Sequence, residues 1–287
     1  MARIFCRQLL KITDWLIPPA IFHLLRSYDR HALHFYLRHR SVLRANQQLH
    51  NRHLGERCFI LCNGPSVREH DIRPLRGEVV LSVSCGYLHS DYRCIQPTYH
   101  FVPQVTYASL PLKETIDWFR EMDQSIGGAE LFLSTQEWSL VQEHRLFSKR
   151  AVHYLCMGKS CFAKNANLPD LGGIIPGCQS VPIMALMAAL YMGFRQIYLL
   201  GVDHDWFVKK EYKYFYDHGL EYNDPTVSKD GKILTALLDD LPMIHNLWEQ
   251  YRAIKHIAQA KGVGIYNATR GGMLDEFERV RLEDVVK

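Results

Sequence analysis

Residues 174–203 read IIPGCQSVPIMALMAALYMGFRQIYLLGVD. A small-residue turn at 177–180 opens an almost wholly apolar helical run. Gly193 closes that run, and residues 196–201 (QIYLLG) follow as an apolar strand that delivers Gly201-Val202-Asp203. A helix that is apolar all round is a buried helix. A strand apolar at nearly every position is covered on both faces, which is the mark of a parallel sheet between helical layers.

The same alternation extends outward in both directions. Strands are predicted at residues 57–62 (RCFILC), 79–84 (VVLSVS), 98–102 (TYHFV), 130–134 (ELFLS), 152–156 (VHYLC), 196–201 and 263–267 (VGIYN). Helices are predicted over 111–122, 180–192 and 245–260, the last with Pro242 before it and His245 at its head. Strands alternating with helices make an α/β fold with a doubly wound, mostly parallel Rossmann-like sheet. The one linker-like shift is Leu54-Gly55-Glu56. It separates an N-terminal helical basic extension, residues 1–55, from a body spanning 56–287.

Composition narrows the class. The chain has 287 residues, 47% hydrophobic and 22% charged, with 18 Gly and 12 Pro. Those values exclude a disordered, collagenous or disulfide-stapled protein. The eight cysteines include no CxxC pair and several sit in apolar strand-like runs, as for reduced thiols in a cytoplasmic protein, which disfavours zinc. No apolar run reaches the ~18 residues of a spanning helix. The nearest, residues 15–25, carries two prolines and a histidine, and the N-terminus lacks a cleavable signal pattern.

The net charge of +4 is uneven: residues 1–53 carry +7, so the remainder is slightly acidic. The leader interleaves Arg with Leu, Ile, Trp15 and Phe22. It reads either as a solvated arm or as an amphipathic segment lying on an anionic membrane surface. The second reading places the protein on the cytoplasmic side, peripherally associated with the membrane. An acidic body without a nucleic-acid-binding motif argues against a nucleic-acid partner.

Four motifs carry chemistry. Asn63-Gly64-Pro65-Ser66 follows the first strand directly, at the strand end where open α/β sheets bind ligands. Gly lets backbone approach a ligand and Ser suits a helix N-cap, so the turn fits a phosphate or nucleotide. It is neither a Walker A loop nor GxGxxG. Gln179-Ser180 opens the apolar helix at the same edge, with Ser180 as its expected cap. Asp203 closes a buried strand there, and with Asp205, two positions on, it could hold a divalent cation. The aromatic stretch Trp206, Phe207, Tyr212, Tyr214, Phe215 and Tyr216 supplies hydrogen-bond donors and stacking faces, or else a packing patch. His245 at a helix N-terminus would be held neutral, as a general base requires.

In combination, the NGPS turn, MGFRQIYLLGVD and the late YNAT strand resemble the 6-hydroxymethylpterin diphosphokinase-like family. That family borders on the motility-associated flagellin glycosyltransferases and on the bacterial sialyltransferases of glycosyltransferase family 42. The resemblance covers roughly residues 56–280. Its sialyltransferase side implies a CMP-linked acidic sugar as donor, a glycan, glycolipid or protein acceptor, and metal-independent inverting transfer without a cofactor. It further implies His245 as general base, Tyr212 and Tyr214 on the leaving phosphate, and Asn63 with its turn, Ser84, Gln179, Ser180 and Asp203 around the nucleotide, in a chain that could form homo-oligomers. This sequence departs from those enzymes at Ser84-Cys85-Gly86, where they carry an Asn, and at 177–180, where they carry an Arg. The diphosphokinase side implies ATP and Mg²⁺, held by Asp203 and Asp205. A third reading is a catalytically inactive nucleotide-binding scaffold.

Overall fold

The structure, a computed structural model, describes residues 30–105, 111–158, 167–211, 214–216 and 232–286. The described residues form one nine-stranded sheet, with order β6-β5-β4-β3-β2-β1-β7-β8-β9 and every pairing parallel. Its strands are β1 (Arg57–Leu61), β2 (Val79–Val83), β3 (Tyr99–Phe101), β4 (Glu130–Ser134), β5 (Val152–Met157), β6 (Ile174–Ile175), β7 (Gln196–Leu200), β8 (Gly264–Asn267) and β9 (Glu278–Arg279). All seven predicted strands are present. The chain builds outward from β1 to β6, then returns to lay β7 against the free side of β1 and continues to β9. The order thus reverses between β1 and β7, and that is the switch point of a doubly wound fold.

The helices are α1 (Arg30–Arg44), α2 (Tyr92–Ile95), α3 (Leu112–Ser125), α4 (Trp138–Glu143), α5 (Val181–Tyr191), α6 (Trp206–Lys209), α7 (Leu237–Ala260) and α8 (Leu282–Val285). Alternate strand residues serve opposite faces. Cys58, Ile60, Leu81 and Leu199 pack with α5 and α7, while Leu131 and Leu133 pack with Phe119 and Met122 of α3. Phe59, Leu61, Val80 and Leu200 form a third cluster with Val67, Ile72 and Leu75. Nearly every residue of α5 is buried, as its unbroken apolar sequence requires.

Helix α7 begins at Leu237, eight residues before the predicted start. Pro242 lies inside the helix rather than ahead of it. The true start is marked by Asp239 and Asp240 in the first turn, which complement the helix dipole, and by Thr235 Oγ1 donating to Asp240 Oδ1 at 2.7 Å.

The predicted amphipathic leader lies mostly outside the described residues. Its described part, from α1 onward, is built into the body. Ala32 and Leu43 pack on Cys156 of β5. Residues 51–55 bond to the end of α5 through Asn51 N–H to Tyr191 O, His53 N–H to Met192 O and Gly55 N–H to Gly193 O. Buried Asn46 donates from Nδ2 to the carbonyls of Tyr154 and Leu171 at 2.7 and 2.9 Å, bridging β5 to the segment before β6. Asn46→Ala leaves two buried carbonyls without that donor. We expect a loss of about 2 kcal/mol in urea unfolding, and a change within experimental error would refute the bridging role.

Among the described residues, no helix is long and apolar enough to cross a membrane.

Candidate functional site at the switch point

The crevice beyond the carboxyl ends of β1 and β7 brings two sequence-distant motifs into register. Pairing of β1 with β7 continues past the strands: Cys62 N–H donates to Leu200 O at 2.8 Å and Gly64 N–H to Gly201 O at 2.9 Å. The Asn63–Ser66 turn therefore runs alongside Gly201-Val202-Asp203. Ser66 then donates twice to the Asp203 carboxylate, from its amide at 3.2 Å and its hydroxyl at 2.8 Å. Asp203 is 6% exposed, so it acts as a tie between the two walls. Burial pushes its carboxyl above the usual range, and the two Ser66 bonds oppose that shift.

A third segment backs Asp203. Met273 N–H donates to Asp203 O at 2.7 Å, and Val202 N–H donates to Thr269 Oγ1 at 3.0 Å.

The turn is shaped differently from a phosphate cradle. The amides of Gly64, Ser66 and Val67 are all taken by protein acceptors, and Pro65 has none. What the turn leaves open is the Asn63 side chain. Asn63 is 7% exposed and its Oδ1 is buried without a hydrogen-bond partner. Gly86 faces that oxygen, since a Cβ built on it would stand 3.6 Å away. The Asn63 carbonyl accepts the Phe215 amide at 3.0 Å, and Arg68 Nε donates to the Phe215 carbonyl. These two bonds dock residues 214–216 on the turn, with Tyr214 and Tyr216 stacked at 5.2 Å. Tyr212 lies outside the described residues.

Ser84 follows β2 directly at the same edge, with φ 47°. A left-handed backbone is costly for a residue with a Cβ and tends to persist where surrounding structure imposes it, often at functional sites. Beneath it, His100 Nδ1 and Ser82 Oγ are 2.7 Å apart and Tyr92 OH lies 3.0 Å from the same Oγ. Burial lowers the His100 imidazole to about 3, so this network is neutral.

The opposite wall comes from α5 and α7. Gln250 accepts the Gln179 amide at 2.8 Å and donates to Gly177 O at 3.0 Å, which fixes the loop before α5. Ser180 occupies the cap position of α5 without making a capping bond, and its hydroxyl is buried beside the Tyr251 phenol. His204 Nε2 pairs with Tyr251 OH at 2.7 Å among Trp206 and Trp248. Burial holds its imidazole at about 4.

Two expectations change. His204 takes φ 46°, which breaks the strand alternation expected to align Asp203 with Asp205. Asp203 is bonded to Ser66, and Asp205 pairs with Lys209 at 2.5 Å. Among the described residues, no group of three His, Cys, Asp or Glu side chains stands ready to hold a metal ion. His245 lies in the third turn of α7, beyond the reach of the helix dipole, which acts within the first turn. It is exposed, on the face opposite Leu247, Tyr251 and Ile254.

Sequence reasoning missed Gln250 and His89. The half-buried His89 sits 5.5 Å from Phe215, edge-on, and its Nδ1 accepts the Asp91 amide at 3.2 Å. Burial lowers its pKa, so Nε2 carries the proton of a neutral ring. Neither residue belongs to a recognisable motif, because each acts through packing between distant segments.

No protein-family model matches the chain, and no curated protein matches it. The diphosphokinase-like resemblance thus has no support from either comparison. Solved structures similar in outline include an asparagine-to-alanine variant of the sialyltransferase CST-II in complex with CMP. It has 13% identity, covers 77% of this chain and 85% of that chain, and gives a TM-score of 0.44. The sialyltransferase CstII from Campylobacter jejuni, in complex with a substrate analogue, cytidine-5'-monophosphate, is also similar, with 13% identity, 79% and 85% coverage and a TM-score of 0.41. Both likenesses are distant.

Proposed function

We propose that the switch-point crevice binds a nucleotide-activated sugar, with a CMP-linked acidic sugar as the specific donor, and that the protein transfers the sugar to a hydroxyl of a glycan, glycolipid or protein. The observation that carries this reading is the buried, unpartnered Asn63 Oδ1 under the docked 214–216 segment. An acceptor left unmatched in a buried site calls for a donor, and a ribose hydroxyl or a nucleobase amine supplies one. Doubly wound sheets bind nucleotides at this position.

In this reading the donor's nucleotide lies along Asn63, Ser84 and the 177–180 loop. The acceptor hydroxyl attacks the anomeric carbon in line, and the bond to the nucleotide phosphate breaks. His245 takes the acceptor's proton from the exposed side of α7, so the acceptor approaches from solvent rather than from the Tyr251 face of that helix. Tyr214 and Tyr212 donate to the departing phosphate, which needs such donors because no metal is invoked. The leader, residues 1–53, brings the protein to an anionic membrane surface.

Thermal unfolding with CMP, CDP, UDP, GDP and ATP, each with Mg²⁺ and with EDTA, tests the binding. CMP at a hundredfold excess over its dissociation constant should add roughly 2.7 kcal/mol, with EDTA present as well as without. Stabilisation by ATP alone, and only with Mg²⁺, would overturn the reading in favour of a diphosphokinase. With CMP-N-acetylneuraminate as probe donor, Tyr214→Phe should slow CMP release by about 100-fold while CMP affinity changes little. Equal rates would remove Tyr214 from the mechanism.

A further inference from the structure

A second concavity adjoins the crevice. It is a cavity of about 410 Å³ beyond the ends of β8 and β9, lined by His70, Thr269, Arg270, Arg279, Arg281 and Glu283 among others. That volume is within the ~300–1,000 Å³ span of small-molecule sites. It shares walls with the crevice on two sides. His70 ends the 3₁₀ turn that starts at Pro65, and the 269–273 loop that borders the cavity is the one bonded to Val202 and Asp203.

His70 is the informative residue. It is 6% exposed, and both ring nitrogens are buried without a hydrogen-bond partner. Burial, with Arg270 nearby, lowers its pKa, against the opposing pull of Glu283 and Glu69. The ring is therefore neutral, with one N–H to donate and one lone pair to accept. A buried donor and a buried acceptor left unmatched each keep their full desolvation cost. The two nitrogens point away from each other, so a ligand group reaches them one at a time, as an acceptor for the N–H or as a donor to the lone pair.

The charges complete the specification. Arg279 is committed to the loop, donating to the carbonyls of Thr269, Gly271, Gly272 and Leu274. Arg270 pairs with Glu283. Arg281 is held loosely, 3.7 Å from Glu283 and 4.0 Å from Asp284, and is largely exposed. Three guanidinium groups against one lining carboxylate leave the cavity cationic.

We infer that the cavity beside His70 and Arg281 binds a polyhydroxylated acid, that is, a sugar bearing a carboxylate or a phosphate. Its anionic group pairs with Arg281, and a hydroxyl makes a hydrogen bond to one ring nitrogen of His70. The site stands independently of what the switch-point crevice binds.

Isothermal titration of the full chain with D-glucuronate, glucose 6-phosphate, inorganic phosphate and D-glucose, with and without saturating CMP, is the test. We expect a hydroxylated acid, glucuronate or glucose 6-phosphate, to bind more tightly than both glucose and phosphate. Comparing the two acids shows whether carboxylate or phosphate is preferred. Arg281→Glu and His70→Leu should each weaken that binding by at least about tenfold, as loss of a hydrogen bond to a charged group implies. Arg281 is exposed, so its variant folds even if the His70 variant does not. Phosphate binding as tightly as the hydroxylated acids, or wild-type affinity in Arg281→Glu, would overturn the inference. The titrations without CMP keep this result separate from the nucleotide reading: binding of acids without any CMP binding would leave the cavity assignment standing.

Discussion

Gly64→Ala should cost about 3 kcal/mol or more of folding stability, at the upper end of what overpacking one methyl costs a protein. The backbone at Gly64 is not the reason, since its φ of −62° suits any residue. The reason is space. A Cβ there would stand 1.8 Å from Asp203 Oδ2, 2.6 Å from Asp203 Cγ and 2.6 Å from the Gly201 carbonyl. None of these can move cheaply. The carboxylate is held by two bonds from Ser66. Gly201 has φ +69°, and a Cβ on it would itself meet Val67 at 2.3 Å and Cys62 O at 2.9 Å. The new methyl must therefore break the Ser66–Asp203 tie or push β1 and β7 apart where they are bonded. Urea unfolding of Gly64→Ala, Asp203→Ala and the double variant measures which. Removing the carboxylate clears the nearest clash, so the double variant should be at least 1 kcal/mol less destabilised than the sum of the singles, as contacting residues require. A Gly64→Ala protein within 1 kcal/mol of wild type would refute the close approach.

That tie also marks where the sequence stops being readable. Both halves were legible, because each follows an apolar strand and sits where a doubly wound sheet places ligands. Their bond was not. Ser66 and Asp203 are 137 residues apart, and only the β1–β7 register brings them together. The same limit hides Gln250, which clamps residues 177 and 179 from a helix whose local pattern shows only burial. The long strands were visible as runs of buried residues. Strands β6 and β9 have two residues each, too few to show a period. The start of α7 was misplaced because Pro242 looks like a helix opening, whereas the acids at 239 and 240 carry the better signal. That shift takes the dipole argument away from His245. Ser84 and His204 adopt left-handed backbones that no residue type announces. His70 is invisible for a different reason: its interest lies in what fails to meet it.

Asn63→Ala should separate binding from folding. In most buried positions, removing a polar side chain strands its partners, but Asn63 Oδ1 has none to strand. Its desolvation without a hydrogen bond is a standing cost of about 1–3 kcal/mol in the unliganded protein. Truncation removes that cost together with a few packed atoms. The link to Phe215 survives, because it uses the Asn63 carbonyl rather than the side chain. Stability should therefore change by less than about 1 kcal/mol, in either direction. Ligand affinity should behave oppositely. If Oδ1 is kept unmatched for a donor on the bound nucleotide, its loss weakens CMP at least tenfold, the equivalent of about 1.4 kcal/mol. Asn63→Asp sharpens the comparison. It keeps an acceptor there but buries a charge, so it should lose stability that Asn63→Ala retains. The decisive measurement is CMP titration beside urea unfolding for both variants. Unchanged CMP affinity in Asn63→Ala would mean that the orphan oxygen serves no ligand in the crevice, and the nucleotide reading would lose the observation that carries it.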